Sequence, residues 1–332
     1  MGSQQPEFRI TPNLIAGLRT FFYSQLFVTP SYPESSFADQ TVIVTGSNTG
    51  LGLEAARHFY RLNCAHLILA VRIVIKGQTA KEEIIDSVKH RSDPDAIKIW
   101  ELDQFSTAST LAFADRVKTE LPRVDVLVEN AVQVNVLNTF FLALSLLPRL
   151  NETKEAFPES QPHLVIVSLE AHRLTNFPEI NAPDLYAKLS EREAFSQQPR
   201  YQVTKLIEVL FTRELVARLK SKTASAPSVI INIVNPGLCS SNLDRSGSEP
   251  PLIVRIMRRI LERTTEVGGR TLVLAAAAPA SSHGEFQSDG ANQDIESWIY
   301  SDIGRRAQEK VFDQTMKVLE ARKPGLAHGI GL

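Results

Sequence analysis

Tyr201 and Lys205 lie four residues apart in the run Tyr201-Gln202-Val203-Thr204-Lys205, and of the six tyrosines this one alone is followed by lysine at that spacing. On a helix that separation places both side chains on one face. A phenol titrates near pH 10, too high for ready proton exchange at neutrality, and a neighbouring ammonium favours the phenolate. The pair is a candidate proton donor and acceptor for an alcohol or carbonyl oxygen. Seen alone it reads better as a surface i,i+4 pair, so its meaning depends on what accompanies it.

A second chemistry-bearing run is Thr45-Gly46-Ser47-Asn48-Thr49-Gly50-Leu51-Gly52, followed by Leu53-Glu54-Ala55-Ala56. Gly46 permits a tight turn, Gly50 lets backbone approach a pyrophosphate, and Gly52 allows close packing of helix on strand. With Asn48, Thr49 and Leu51 between them, these glycines offer N–H groups at the positive end of a helix, where phosphates bind. Arg72 follows Ala70-Val71, at a place where an acidic residue would hold a ribose 2′-hydroxyl and an arginine suits the 2′-phosphate of NADP. Asp103 is placed to accept from an adenine amino group and Asn130 to tie neighbouring strand ends. Asn235-Pro236-Gly237 reads as a rigid turn over a nicotinamide, with Pro236 and Gly237 against it.

Positioning these groups needs a scaffold. Short apolar runs at Thr41–Thr45, His66–Val71, Ile97–Leu102, Val124–Glu129, His163–Ser168 and Val229–Asn235 read as strands. Between them Leu51–Asn63, Gly77–Arg91, Thr107–Leu121, Val134–Leu150 and Arg200–Lys222 read as helices. Continuous apolar strands alternating with helices imply a parallel sheet covered on both faces. Right-handed crossovers then predict a single doubly wound α/β (Rossmann) sheet. The expected organisation is a helical appendage over residues 1–39, the sheet domain over 40–300, and a C-terminal helix and tail over 301–332.

In this order, each at the C-terminal end of a strand, the glycine run, Asp103, Glu129-Asn130-Ala131, Tyr201 with Lys205, and Asn235-Pro236-Gly237 resemble the short-chain dehydrogenase/reductase superfamily, over about Gln40 to Ala278. Segments such as Leu67-Ile68-Leu69-Ala70-Val71-Arg72 and Val165-Ile166-Val167-Ser168 are similar to its retinol-dehydrogenase-like branch, especially fungal members of secondary-metabolite pathways. The resemblance implies an NADP(H)-dependent oxidoreductase interconverting an alcohol and a ketone on a lipophilic small molecule. It implies that Tyr201 exchanges the proton, that Lys205 lowers its pKa and binds the nicotinamide ribose, and that Asn135 holds a relay water. Dimers are common in the family, so a homodimer is compatible with it.

Two departures stand against the pattern. The family ends its fifth strand in a serine that steadies the carbonyl oxygen, but in Val167-Ser168-Leu169-Glu170-Ala171-His172 the register puts Leu169 there, with Ser168 one residue early. Side chains alternate across a strand, so Ser168 takes part only if a local bulge turns it. Asn130 and Asn135 are five positions apart, where the family separates them by roughly 25, and Val132 replaces a glycine. Five residues span at most about 17 Å, which permits the connection but displaces its contents. A catalytically impaired NADP(H)-binding protein or scaffold is the alternative reading.

Composition narrows the classes further. Lys+Arg 36 against Asp+Glu 37 leaves a net charge of −1, which supplies no field for nucleic acid. Cys64 and Cys239 are far apart without histidines at ligand spacing, which argues against a disulfide framework or a metal site and fits a reducing, cytoplasmic setting. The apolar stretch Leu14–Val28 carries Arg19 and Gln25 and is too short to span a bilayer. Leu14, Leu18, Phe21, Phe22 and Leu26 recur at helical spacing, and the expectation is a helix docked on its own domain rather than a membrane anchor. Leu252, Ile253, Ile256, Met257 and Ile260 predict a greasy helical stripe at the substrate wall or in the core, and Gly304–Arg322 a packed tail helix.

Overall fold

A computed structural model describes residues 6–130, 136–191, 197–220, 226–240 and 252–332. Along the chain these form α1 (Leu14–Phe27), β1 (Thr41–Thr45), α2 (Gly50–Arg61), β2 (His66–Val71), α3 (Val74–Ser87), β3 (Ile97–Glu101) and α4 (Thr107–Glu120). They continue as β4 (Val126–Glu129), α5 (Val136–Ala156), β5 (His163–Val167), α6 (Leu185–Leu189), α7 (Gln197–Lys220), β6 (Ile230–Asn235) and α8 (Leu252–Leu261). The last elements are α9 (Thr265–Ala276), β7 (Phe286–Ser288), β8 (Ala291–Asn292), α10 (Asp302–Arg322) and α11 (Leu326–Gly329).

The strands lie in the order β3-β2-β1-β4-β5-β6-β7-β8, all parallel except the last pair. Every residue of β1, β4, β5 and β6 is buried, which is why these strands read as unbroken apolar runs. Their side chains divide between two cores by simple alternation. Ile43, Leu127, Leu164, Ile166 and Ile233 pack beneath α4, α5, α7 and α10, whereas Val42, Val44, Val128, Val165 and Val167 pack beneath α2, α3 and α9. The tail helix is part of the first core through Ala307, Val311, Phe312 and Leu319. The direction of winding reverses between β1 and β4, so their C-terminal ends open a crevice.

One expectation about packing is corrected. Helix α1 is docked, but not by the expected stripe: Leu14, Leu18, Phe22 and Leu26 are exposed, and its buried residues are Gly17 and Ser24. Polar latches set this orientation. The Arg263 guanidinium donates to the Ser24 carbonyl at 2.7 Å, the Ser24 hydroxyl at 3.0 Å and the Val28 carbonyl at 3.0 Å, and pairs with Asp289 at 2.6 Å. At the other end the Asn13 N–H donates to Glu296 at 3.0 Å. The greasy stripe of α8 is corrected likewise at Met257 and Ile260, which are exposed; the side chains of Leu252, Ile253 and Ile256 lie outside the described residues.

Candidate active site

The glycine run forms the turn from β1 into α2. Gly46 and Gly50 have φ of 62° and 60°, the left-handed region that glycine adopts without strain. A Cβ on Gly52 would overlap the Asn130 amide and lie 2.6 Å from the Gly46 carbonyl oxygen, so no larger residue fits between turn and strand. Asn130 closes the turn: its N–H donates to Thr45 Oγ1 at 2.9 Å and its Nδ2 to the Thr45 carbonyl at 3.1 Å. Thr49 caps α2 without a side-chain bond, which leaves the first-turn amides to a ligand. Ser47 Oγ is buried in this turn with no hydrogen-bond partner. A cradle of backbone donors and an orphaned hydroxyl fit the pyrophosphate of a dinucleotide.

Around the turn, Asn48 and Leu51 are half-buried and Thr49 is exposed. Arg72 is exposed just past β2 and, among the described residues, makes no ion pair. Asp103 is half-buried after β3; its Oδ1 accepts the Phe105 N–H at 3.0 Å in a local turn. Glu129, beside Asn130, is wholly buried: Oε2 accepts from Gln104 Nε2 at 2.9 Å and Thr45 Oγ1 at 3.3 Å, and Oε1 has no partner. Burial pushes its carboxyl up to about 8. Asn135 falls outside the described residues, as does the rest of the short connection from Ala131.

At the reaction end Tyr201 lines a cavity of about 310 Å³ together with Leu169, Asn235, Pro236 and Gly237 from the strand ends and Gly17, Leu18 and Phe21 from α1. The helix α1 thus roofs the pocket. Gly237 has φ of 79°, and a Cβ there would overlap the Gln25 amide and lie 2.8 Å from the Arg263 guanidinium, so the turn after β6 supports the roof. Leu169 occupies the wall beside Tyr201 in extended conformation. Ser168 does not line the cavity: it is fully buried, and its hydroxyl donates to the Lys205 carbonyl of α7 at 3.3 Å.

Lys205 is 1 % exposed and its Nζ lies 5.9 Å from the Tyr201 ring centroid. Its ammonium donates to both oxygens of Glu208 at 2.9 Å and to the Val167 carbonyl at 3.2 Å. Burial holds the Tyr201 phenol above its usual range, and the Glu208 carboxylate adds to the rise. Glu208 is the functional neighbour that sequence reasoning missed. Its signal was a glutamate three residues after the lysine, indistinguishable in sequence from a surface pair.

Site and scaffold together have the form of a nucleotide-binding α/β oxidoreductase, with a glycine turn at the switch point and Tyr201 on an apolar cavity, backed by buried Lys205. A family model described as short chain dehydrogenase matches residues 40–150. The chain is 38% identical over 326 residues to the short chain dehydrogenase/reductase dmxR8 of Cryptosporiopsis sp., covering 92% of this chain and 98% of that one. It is 36% identical to the short-chain dehydrogenase anuD of Penicillium roqueforti, covering 92% and 84%. A solved short chain dehydrogenase from Shigella flexneri has the same fold, with a TM-score of 0.56 and 19% identity over 79% of this chain and 96% of that one. The chain belongs to the short-chain dehydrogenase/reductase family.

Proposed function

We propose that this protein interconverts a ketone and a secondary alcohol on a lipophilic small molecule, with NADP(H) as the hydride carrier, within a fungal secondary-metabolite pathway and in the cytoplasm. The observation that carries the reading is Tyr201 facing a nearly apolar cavity with Lys205 one turn along α7. Fungal relatives of the same family support the pathway, and two buried free thiols fit a reducing compartment. Exposed Arg72 past β2 supports preference for the 2′-phosphate over a bare ribose.

The glycine turn, Ser47 and the first-turn amides of α2 would hold the pyrophosphate, Asp103 the adenine, and Pro236 and Gly237 the nicotinamide side. When bound, the cofactor supplies or removes the hydride at the carbinol carbon. The chain's own work is proton transfer and placement. Tyr201 keeps its proton in the buried state and gives it to the carbonyl oxygen in reduction, or receives it in oxidation. Lys205, fixed by Val167 and Glu208, would bind the ribose and stabilise the phenolate left behind. The roof of α1 and the wall at Leu238 give the cavity an apolar lining that would select an apolar substrate.

A second reading, that the enzyme is impaired, is favoured by one observation: the hydroxyl of Ser168 is committed to α7 while Leu169 fills the wall. Binding of NADPH and NADH followed by thermal shift tests the main reading, since a ligand stabilises by RT ln(1 + [L]/Kd). The expected result is tighter NADPH binding, and turnover in a ketone screen that drops about 10²- to 10⁴-fold in Tyr201→Phe with cofactor binding intact. No response to either cofactor overturns it.

A further inference from the structure

Helix α1 is amphipathic in the reverse sense. Its inward side is Gly17, Thr20, Ser24 and Gln25 with one aromatic, Phe21, while nine residues face solvent and only Arg19 of these is charged. The exposed apolar side chains include Ile15 and Phe27 at 75 % each and Tyr23 at 64 %. Beside it packs α8, which adds exposed Met257 and Ile260. A face this apolar on a helix held by buried polar latches is stable in water only at the cost of unfavourable hydration, so it asks for a cover.

Charge identifies the cover. Neither α1 nor α8 contains an acidic residue, and they carry Arg19, Arg255, Arg258 and Arg259; Arg258 is paired with Glu262, and Arg19 and Arg259 are exposed. A second copy docking through this face about a two-fold axis would bring two basic faces together with no acidic residue on either helix to offset them. A bilayer surface bearing anionic headgroups instead receives apolar side chains in its acyl boundary and arginines at its phosphates. No helix among the described residues is long and apolar enough to cross a membrane, so the contact is with the surface. We propose that the outward face of α1, extended by α8, docks the protein on an anionic membrane surface. Leu18 both lines the cavity and reaches solvent, so the docking face and the edge of the pocket are continuous. The proposal stands on the surface alone and does not depend on the reading of the catalytic pair.

The test is co-sedimentation of the full chain with phosphatidylcholine vesicles, with and without about one-third phosphatidylserine, at low and high salt. Binding is expected to the anionic vesicles and to weaken with salt. It should fall about tenfold or more in the Ile15→Ser/Phe27→Ser double variant and in Arg19→Glu, with the melting temperature and oligomeric state unchanged. Equal sedimentation of variants and parent overturns the proposal, as does absence of binding. A dimer that the double variant dissociates also overturns it, and identifies a second copy as the occupant.

Discussion

Replacing Glu129 with glutamine tests whether a buried carboxyl at the end of β4 keeps its proton in the folded protein. Glu129 is 2 % exposed, and burial raises it from an ordinary 4.5 to about 8 against the opposing bonds from Gln104 and Thr45. Between those values the folded chain holds a proton that the unfolded chain has lost. Stability from this group is therefore complete below about 4.5 and declines as pH rises toward 8, by about 1.4 kcal/mol per pH unit. From pH 5 to pH 7.5 the loss approaches about 3 kcal/mol, or about 6 °C of melting temperature for a chain of this size. Glu129→Gln keeps the shape and an acceptor for Gln104 and Thr45 while removing the titration. Melting temperatures of the two proteins should nearly agree at pH 5 and separate as pH rises, the parent falling about 6 °C more than the variant by pH 7.5. Parallel pH dependence would refute the reasoning and mean that the carboxylate is already charged in the fold.

Three further outcomes are expected. Gly52→Ala puts a methyl 2.6 Å from a backbone carbonyl, and overpacking of about 1–3 kcal/mol should weaken dinucleotide binding about 5- to 150-fold by titration; unchanged affinity would exclude this turn as the phosphate site. Leu169→Ser places a hydroxyl in the wall of the cavity that Tyr201 also lines, and kcat should rise about tenfold or more if the missing donor limits the enzyme, whereas unchanged kcat means that the shortened Asn130–Asn135 connection or a binding role dominates. Glu208→Gln removes the carboxylate that offsets the Lys205 ammonium, so the inflection of the pH–rate profile assigned to Tyr201 should move down by about one pH unit, with no movement disproving the coupling.

Much of the scaffold was legible because the central strands are buried on both sides. Val42, Ile43 and Val44 need no alternation in sequence, since alternate residues enter different cores, and the run ends where the glycine turn begins. The closing strands β7 and β8, of three and two residues, were too short to leave a periodic signal. The apolar period of α1 was visible, but a period reports that a helix has two faces and not which one is covered. The deciding groups, Arg263 and Glu296, lie far away in the chain. The same holds for Glu208: its spacing from Lys205 was visible, while its burial required α7 to be packed against β5.

The roof of the pocket also imposes an order on the chain's assembly. Helix α1 is made early in synthesis, yet its holding partners are 235 to 283 residues away in sequence. Long-range closures come late, after the loop they close has lost its freedom. The strands β1 to β6 and their glycine turn can therefore form while α1 still trails loose, and the cavity acquires its roof only when residues beyond Arg263 have emerged and folded. A chain terminated before that point would carry the glycine turn without the roofed cavity, and an apolar helix with nowhere to attach.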